Sequence, residues 1–277
     1  MPVHLCYTNP YVRNLSPCSI YRTHDEPQSH PRKNGSYTPT RRIWGAEKLI
    51  YYTRYCPQVL PVTGYIVRQG DHQMEAWEHN YRQRGALWQG AATGIPSFSP
   101  GTHVLEAGCG NGKTLSTLCR DGCDATGIDI AASALRIAQR TVSSALLVQA
   151  DVRSLPFCNN TFDAVIAVHI IGALGEQDRH RAAAELRRVL VPGGTLFFRE
   201  FSVSDFRCGK GSPAEENSFL RGDGVQTHYF TPSEVSSLFS DENWEGEIQA
   251  ERWEMRVRGT CYPREVLSGL FRKCGQE

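Results

Sequence analysis

The sequence lacks the features that mark several classes of protein. Its ten cysteines include no Cys-x-x-Cys pair, and no histidines stand at the paired spacing of a zinc site. No apolar run approaches the roughly 18 residues of a membrane helix, and the N-terminus has no basic segment followed by an apolar stretch. We therefore expect a soluble, cytoplasmic protein that binds neither a metal ion nor a membrane.

The chain also lacks an excess of charge of either sign. It has 30 basic and 29 acidic residues among 277, and 40% of its residues are apolar. A balance this close creates no global field that would draw the protein onto nucleic acid, so any nucleic-acid surface must be local. The length and composition are those of an ordinary globular protein with one large core or two small ones.

Regular apolar periodicity is missing from the N-terminal part. Residues 1–73 are rich in Pro, Ser, Tyr, Arg and His but have no sustained period, which predicts a disordered or peripheral extension. A helix-like stretch follows at residues 75–90. We therefore predict one catalytic domain at residues 74–277.

From Pro100 onward, short apolar runs alternate with segments of helical period. This alternation predicts an α/β, Rossmann-like fold with a mostly parallel, seven-stranded sheet. The predicted strands are 102–107, 124–129, 145–150, 162–169 and 195–201, and the predicted helices are 112–120, 131–140, 176–190 and 232–239. Residues 202–230 form a polar, glycine-rich insertion, and 247–258 with 266–273 predict a C-terminal antiparallel pair.

The first predicted strand leads into a turn that is rich in glycine. Residues 104–112 read VLEAGCGNG, and such glycines permit a tight turn that presents backbone amides to a ligand at a helix N-terminus. Asp129 ends the second strand 19 residues after Gly110, where a carboxylate can accept hydrogen bonds from both hydroxyls of a ribose. Asp151 follows the third strand, where it can bind an exocyclic amine beside an adenine ring. These positions predict a nucleoside ligand.

The charge of this site indicates which nucleoside ligand it binds. Three carboxylates without a compensating basic cluster favour a ligand with a sulfonium and an ammonium group and disfavour a pyrophosphate. The sequence therefore predicts S-adenosyl-L-methionine as the cofactor, and NAD fits poorly because the third glycine of its fingerprint falls on Lys113. The predicted cofactor-binding residues are Glu106, Gly108, Cys109, Gly110, Asp129, Ile130, Asp151, Val152 and His169.

Two alternatives for the same turn stay open. Residues 107–114 read A-x-x-x-x-G-K-T, which differs from a phosphate-binding P-loop by alanine in place of the first glycine. Against this reading, Glu106 would lie beside the phosphates, and no strand ends in a clear magnesium ligand. The other alternative is a non-catalytic adaptor with a degenerate domain, which the intact acids of the turn disfavour.

The chain resembles two groups of enzymes. Residues 100–201 resemble class I methyltransferases, with the glycine turn, the acids after the first three strands, FDAVI at 162–166 and LVPGG at 190–194. The substrate side resembles the tRNA 3-methylcytidine methyltransferases related to methyltransferase-like protein 6, at 198–201, 216–224, 229–231 and 263–267. The residues that match this family are Arg199, Asn217, Arg221, Asp223, Gly224, Phe230 and Thr231, whereas Glu200 and Phe201 replace its aspartate and tyrosine.

This resemblance implies methyl transfer to a cytidine ring nitrogen in tRNA. That nitrogen already has a lone pair, so the reaction needs alignment and stabilisation of the emerging cation rather than a general base. Glu200 and Asp223 are the predicted catalytic carboxylates. We also expect aromatic residues that stack on a splayed-out base and arginines that hold it. These predicted substrate-binding residues are Arg199, Phe219, Arg221, Tyr229 and Phe230. A methyltransferase for a small-molecule substrate in a closed pocket is the alternative, and the sequence predicts no particular protein partner.

Overall fold

The structure, a computed structural model, describes residues 72–87, 92, 94–239 and 244–274. Its helices are α1 (His72–Arg84), α2 (Lys113–Arg120), α3 (Ala132–Thr141), α4 (Glu176–Val189) and α5 (Pro232–Phe239), with a 3-10 turn at Ile171–Ala173. Its strands are β1 (His103–Ala107), β2 (Asp124–Asp129), β3 (Leu146–Gln149), β4 (Phe162–Val168), β5 (Leu190–Phe201), β6 (Ser212–Glu215), β7 (Ser218–Leu220), β8 (Gln226–His228), β9 (Trp244–Val257) and β10 (Thr260–Lys273).

Seven of these strands form one sheet in the order β3-β2-β1-β4-β5-β10-β9. Strands β1 to β5 run parallel, and β10 lies antiparallel between β5 and β9. This arrangement confirms the predicted α/β class with a C-terminal antiparallel pair. Because parallel strands end at the same edge, the turns after β1, β2, β3 and β4 all lie at that edge, where ligands bind in open α/β sheets.

The core lies on both faces of the sheet, as the alternation along β1 requires. Val104 packs in one buried cluster with Leu115 and Leu118 of α2, whereas the next residue, Leu105, packs in the other with Leu186 of α4. Burial of each such side chain stabilises the fold by about 1.5–3 kcal/mol. None of the described helices is long and apolar enough to cross a membrane.

Most predicted boundaries lie within two residues of those observed, but four elements differ. In the C-terminal hairpin, β9 begins at Trp244 rather than at residue 247, and β10 begins at Thr260 rather than at residue 266. Helix α1 spans His72–Arg84 rather than 75–90 because Gly85, at φ 70°, donates its N–H to the Tyr81 carbonyl and ends the helix. Strand β5 begins at Leu190 rather than at residue 195, with a register shift before its regular pairing with β4. The prediction for residues 1–71 concerns a part of the chain outside the described residues.

The insertion contains a small antiparallel sheet, β6-β7-β8, which its polar composition did not predict. This sheet is attached to the main domain at the N-terminus of α4. Gly175, the N-cap of that helix, provides no side-chain cap, and the Glu215 carboxylate from β6 instead accepts the Glu176 N–H. Arg179 of the same helix forms an ion pair with Glu215. A carboxylate at this position also interacts favourably with the helix dipole.

The C-terminal hairpin extends past the end of the parallel sheet. Val266 of β10 pairs with Phe201, the last residue of β5, whereas residues 260–265 pair only with β9. The hairpin tip, which we define as residues 252–265, therefore projects beyond the carboxyl edge of the sheet. Functional side chains on the tip can thus lie over the ligand-binding edge.

Candidate active site

The glycine turn after β1 has a backbone that only glycine adopts readily. Gly108, Gly110 and Gly112 have φ values of 72°, 53° and 83°. A Cβ atom added to Gly108 would lie 2.9 Å from the Ile170 side chain. Cys109 is buried, and burial raises the pKa of its thiol well above the ordinary value, so it packs as a small residue. The turn is therefore rigid and closely packed.

Asp129, at the end of β2, fixes the shape of this turn. Its Oδ2 accepts the N–H of Gly110 at 2.8 Å, and its Oδ1 accepts the N–H of Ala131, ahead of α3, at 2.8 Å. Burial raises the pKa of Asp129 to about 6, although these backbone hydrogen bonds lower it. The spacing of 19 residues thus does bring the carboxylate to the turn. Each oxygen retains a lone pair that can accept a further hydrogen bond.

Glu106 lies beneath the same turn in an unusual environment. Burial raises the pKa of its carboxyl to about 8, despite hydrogen bonds from the Thr114 side chain and the Leu115 backbone that lower it. Its Oε2 has no hydrogen-bond partner among the described residues. A buried oxygen without a partner is costly in free energy, so a ligand with a hydrogen-bond donor fits this position.

A cavity opens beside the turn, and five predicted cofactor residues line it: Gly108, Asp129, Ile130, Asp151 and Val152. The sequence did not predict the rest of its lining, which comprises Gln73, Met74, Trp77, Arg153, Ile170, Ala173, Leu174, Gly175, Asp178, Ile128 and Ala150. Four predicted residues, Glu106, Cys109, Gly110 and His169, do not line it. Of the lining residues that were not predicted, only Trp77 had a signal in the sequence, since residues 77–84 loosely resemble a Trp- and Lys-rich segment that precedes the first strand in the tRNA-methyltransferase family.

Helix α1 covers the cavity because three polar contacts hold it in place. Glu78 accepts hydrogen bonds from both the N–H and the hydroxyl of Ser133 in the first turn of α3. At the other side, the Gln73 side-chain oxygen accepts the Gln226 N–H, and the Asn80 amide donates to the Asp223 carbonyl. The helix therefore joins α3 to the insertion across the cavity.

The sequence predicted no compensating basic cluster near the carboxylates, and the structure places one basic residue, Arg153, among them. Arg153 donates to Asp151 from its backbone N–H and its guanidinium, with distances of 2.6–2.9 Å, and to Asp178 at 2.8 Å. The turn between residues 151 and 154 folds back on itself, which brings this arginine to the cavity. The carboxylates of the lining are those of Asp129, Asp151 and Asp178, and Arg153 is its one guanidinium. The negative charge therefore exceeds the positive charge, and the cavity favours a cationic ligand.

The comparisons with known proteins identify this type of site. A family profile described as a methyltransferase domain matches residues 105–198, from β1 into β5. An S-adenosylmethionine-dependent methyltransferase from Methanosarcina mazei is 26% identical, with a TM-score of 0.55, and the match covers 65% of this chain and 96% of that one. The chain carries a class I S-adenosylmethionine-dependent methyltransferase domain. Its cofactor is S-adenosyl-L-methionine, as the glycine turn and the acids predicted.

Curated relatives of this methyltransferase extend the similarity beyond the profile. The tRNA N(3)-cytidine methyltransferase METTL2 of Danio rerio is 24% identical over 261 residues, which are 85% of this chain and 73% of that protein. METTL6 of Rattus norvegicus, named as the same kind of enzyme, is 26% identical over 186 residues. The chain spans 65% of the METTL6 sequence and 43% of METTL2 from Bos taurus.

The methyltransferase domain places Arg199 and Glu200 on opposite faces of β5. Arg199, predicted to bind substrate, instead forms an ion pair with Glu251 of β9 and donates to the Gly94 carbonyl. Glu200, predicted to be catalytic, is buried on the other face, where one oxygen accepts the Gly172 N–H at 2.9 Å. Both side chains therefore have protein partners that the sequence did not reveal.

The predicted aromatic surface is largely interior. Phe230 is fully buried and meets Phe198 edge to face, so its predicted stacking on a substrate base is wrong because the hydrophobic core covers the ring. Tyr229 is also buried, next to Phe201 and Phe219. Phe219 is half-buried, which leaves it as the one predicted aromatic with an accessible part.

Arg221 and Asp223 form an ion pair at 2.8 Å in the loop between β7 and β8. Asp223 also lies 3.7 Å from Arg84 of α1. Its surroundings are thus the loop and α1, whereas Glu200 contacts the 3-10 turn after β4. The structure does not join the two predicted catalytic carboxylates through any common contact among the described residues.

Proposed function

We propose that this protein transfers the methyl group of S-adenosyl-L-methionine to a cytidine ring nitrogen in tRNA. One observation carries the proposal. Helix α1 covers the methyltransferase cavity and is hydrogen-bonded to an insertion that resembles the tRNA 3-methylcytidine methyltransferases. The relatives METTL2 and METTL6 carry that activity in their names. A base methyltransferase needs such an insertion because the cofactor half of the fold carries no substrate specificity.

The contacts of the cavity support a specific orientation for the cofactor. Asp129, already anchored by two backbone N–H groups, is positioned to accept hydrogen bonds from the ribose hydroxyls. Ile130 and Val152 line the cavity as apolar walls for the adenine ring, and Asp151 is held beside them by Arg153. Glu106 does not line the cavity, but its unpartnered oxygen lies beneath the glycine turn that does, and we expect the ammonium group of the methionine part to reach it there.

An exposed tryptophan at the hairpin tip and a lysine beside a half-buried phenylalanine support RNA as the substrate. At the hairpin tip, the Arg264 guanidinium lies 5.3 Å from the ring centre of Trp253, which is 44% exposed. The Lys210 ammonium lies 4.3 Å from the ring centre of Phe206. Buried Asp205 fixes Arg264 through an ion pair at 2.6 Å. Exposed aromatics combined with cations bind unpaired bases and phosphates in single-stranded nucleic acid.

The reaction needs little chemistry from the protein. The cytidine ring nitrogen attacks with its own lone pair, so the protein contributes by aligning the base and by excluding its pairing partner. An unpaired base in a loop satisfies this requirement, since a paired cytidine has its ring nitrogen engaged.

Methyl transfer from labelled cofactor to unmodified tRNA, followed by mass spectrometry of the nucleosides, tests the proposal. We expect 3-methylcytidine to form. Trp253→Ala should weaken tRNA binding by about tenfold, the order expected for loss of one stacked base. Leu270→Ala is the matched control, because Leu270 is equally exposed, at 48%, but lies at the opposite end of the same hairpin. Methylation of small molecules alone, with no binding of tRNA at any salt concentration, would refute the proposal.

A further inference from the structure

His169 occupies a special position at the carboxyl end of β4. Its φ of 55° is rare for a residue other than glycine. The imidazole stacks on Phe201 with ring centres 4.0 Å apart and an angle of 13° between the planes. The next residue, Ile170, lines the cofactor cavity and packs against Gly108 of the glycine turn. The backbone and the stack thus hold this ring next to a residue that lines the cofactor cavity.

A buried carboxylate lies behind the imidazole. His169 Nδ1 is 3.5 Å from Oε2 of Glu200, which is 2% exposed. Nδ1 is itself buried and has no hydrogen-bond partner among the described residues. The other oxygen of Glu200 is held by the Gly172 N–H, and a Cβ at Gly172 would come within 2.9 Å of Oε2. The glycine therefore leaves room for one carboxylate oxygen to face the ring.

The approach of Glu200 to Nδ1 favours one tautomer of the ring. A carboxylate beside Nδ1 favours the hydrogen on that nitrogen, so that Nε2 of the neutral imidazole carries the lone pair. About a third of the side chain, 29%, is exposed, whereas Nδ1 is buried. The exposed part of the ring therefore offers a hydrogen-bond acceptor.

We propose that His169, oriented by Glu200, accepts a hydrogen bond through Nε2 from the exocyclic amino group next to the ring nitrogen that is methylated. The proposal rests on the proposed function and names its specificity residue. Cytosine has an amino group at this position, whereas uracil has a carbonyl oxygen, whose lone pairs would face that of Nε2. A site that hydrogen-bonds one group strongly rejects an analogue that cannot make the bond.

The same hydrogen bond favours the reaction. The lone pair of the ring nitrogen forms the new bond to the methyl carbon while the sulfur–carbon bond breaks and leaves its electron pair on sulfur. The positive charge passes to the pyrimidine and is shared by its amino group, whose hydrogen stays on nitrogen. The amino group becomes a stronger donor as the charge develops, so the bond to Nε2 tightens in the transition state.

The predicted roles of two residues change accordingly. The sequence predicted Glu200 as a catalytic carboxylate and His169 as a cofactor-binding residue. In the proposal, Glu200 is a positioning residue that acts through the imidazole, and His169 is the residue that contacts the substrate. The cofactor contacts described above need neither side chain.

Substitutions at both positions test the proposal. His169→Phe keeps the stack on Phe201 but removes the acceptor, so kcat on tRNA should fall about 10- to 100-fold, with the KM for the cofactor unchanged. His169→Gln, whose amide oxygen can replace Nε2, should recover most of this loss. Glu200→Gln presents an amide donor to Nδ1 and moves the ring hydrogen to Nε2. Its effect should equal that of His169→Phe and should not add to it in the double variant.

Two measurements do not depend on turnover. Nitrogen NMR of the labelled imidazole should show the hydrogen on Nδ1 in the wild type and on Nε2 in Glu200→Gln. Calorimetry with 3-methylcytidine monophosphate, the cationic product, should show binding about tenfold weaker in His169→Phe. Thermal unfolding and the affinity for the cofactor should be measured for each variant as controls for folding.

The results separate this proposal from the proposed function. If the wild type methylates tRNA cytidine and His169→Phe retains its kcat and its affinity for the mononucleotide, the role of His169 is refuted. A ring hydrogen on Nε2 in the wild type refutes it as well. If the wild type forms no 3-methylcytidine, the proposed function fails, and the tautomer and mononucleotide measurements still decide whether this site recognises an amino group.

Discussion

Glu106 makes cofactor binding depend on pH in a way that can be calculated. Burial raises the pKa of this carboxyl to about 8, so at pH 7 it is about nine-tenths protonated in the ligand-free domain. An ammonium group placed against Oε2 favours the ionised carboxylate. Binding of S-adenosyl-L-methionine should therefore release about 0.9 proton from Glu106 at pH 7.

The same numbers give the change in affinity. If the complex needs ionised Glu106, the apparent affinity should rise about ninefold between pH 6 and pH 7, close to the limit of about 1.4 kcal/mol per pH unit. Asp129, whose pKa burial raises to about 6, adds a factor of about two in the same interval. This interval is suitable because an α-amino group titrates only near 7.7–8.0, so the ligand keeps its charge.

Calorimetry in buffers of different ionisation enthalpy measures the released protons directly. Glu106→Gln is the control, since it keeps the size of the side chain and removes the titration. The variant should release only the small fraction of a proton that comes from Asp129, and its affinity should change about twofold between pH 6 and pH 7. Equal proton release by the wild type and the variant would show that Glu106 does not meet the cationic group.

Three further predictions concern stability and the cofactor. The pKa of Glu106 in the folded protein lies above its ordinary value of 4.5, so the folded state holds an extra proton between pH 4.5 and pH 8. The ligand-free protein should therefore lose stability as pH rises through this range. Urea unfolding should show a weaker dependence of stability on pH for Glu106→Gln. Asp129→Asn leaves one acceptor where the turn uses two, so calorimetry should find cofactor affinity reduced by about tenfold or more. Thr231→Ala removes the hydroxyl that accepts the Glu234 N–H at the start of α5 and should cost about 1 kcal/mol in urea unfolding, with cofactor affinity unchanged.

The sequence predicted the fold well because its signals are local. The apolar runs of the parallel strands and the helices between them follow from periodicity within short windows. The start of α5 follows from Thr231-Pro232-Ser233-Glu234, a capping box that the structure contains. Where a local signal was overlooked, as at Gly85, the boundary was wrong by several residues.

Side-chain environments were harder to predict because they depend on contacts distant in sequence. Phe230 matches a substrate-binding motif, yet Phe198 and α5 cover its ring. Arg199 looked available, but Glu251, 52 residues away, neutralises it. Helix α1 reaches the cavity through Gln73, whose partner Gln226 is 153 residues distant. No pattern in a single sequence encodes such pairings.

The charge that remains around Arg153 explains why the cofactor prediction is correct although the cavity contains a basic residue. The sequence predicted carboxylates without a compensating basic cluster, and Arg153 is a single basic residue that pairs with Asp151 and Asp178. One guanidinium shared by two carboxylates still leaves a negative excess, to which Asp129 adds. A pyrophosphate would meet this excess at close range, whereas a sulfonium with an ammonium is attracted to it. The sign of the net charge, rather than the absence of any base, is therefore what selects the methyl donor over a dinucleotide.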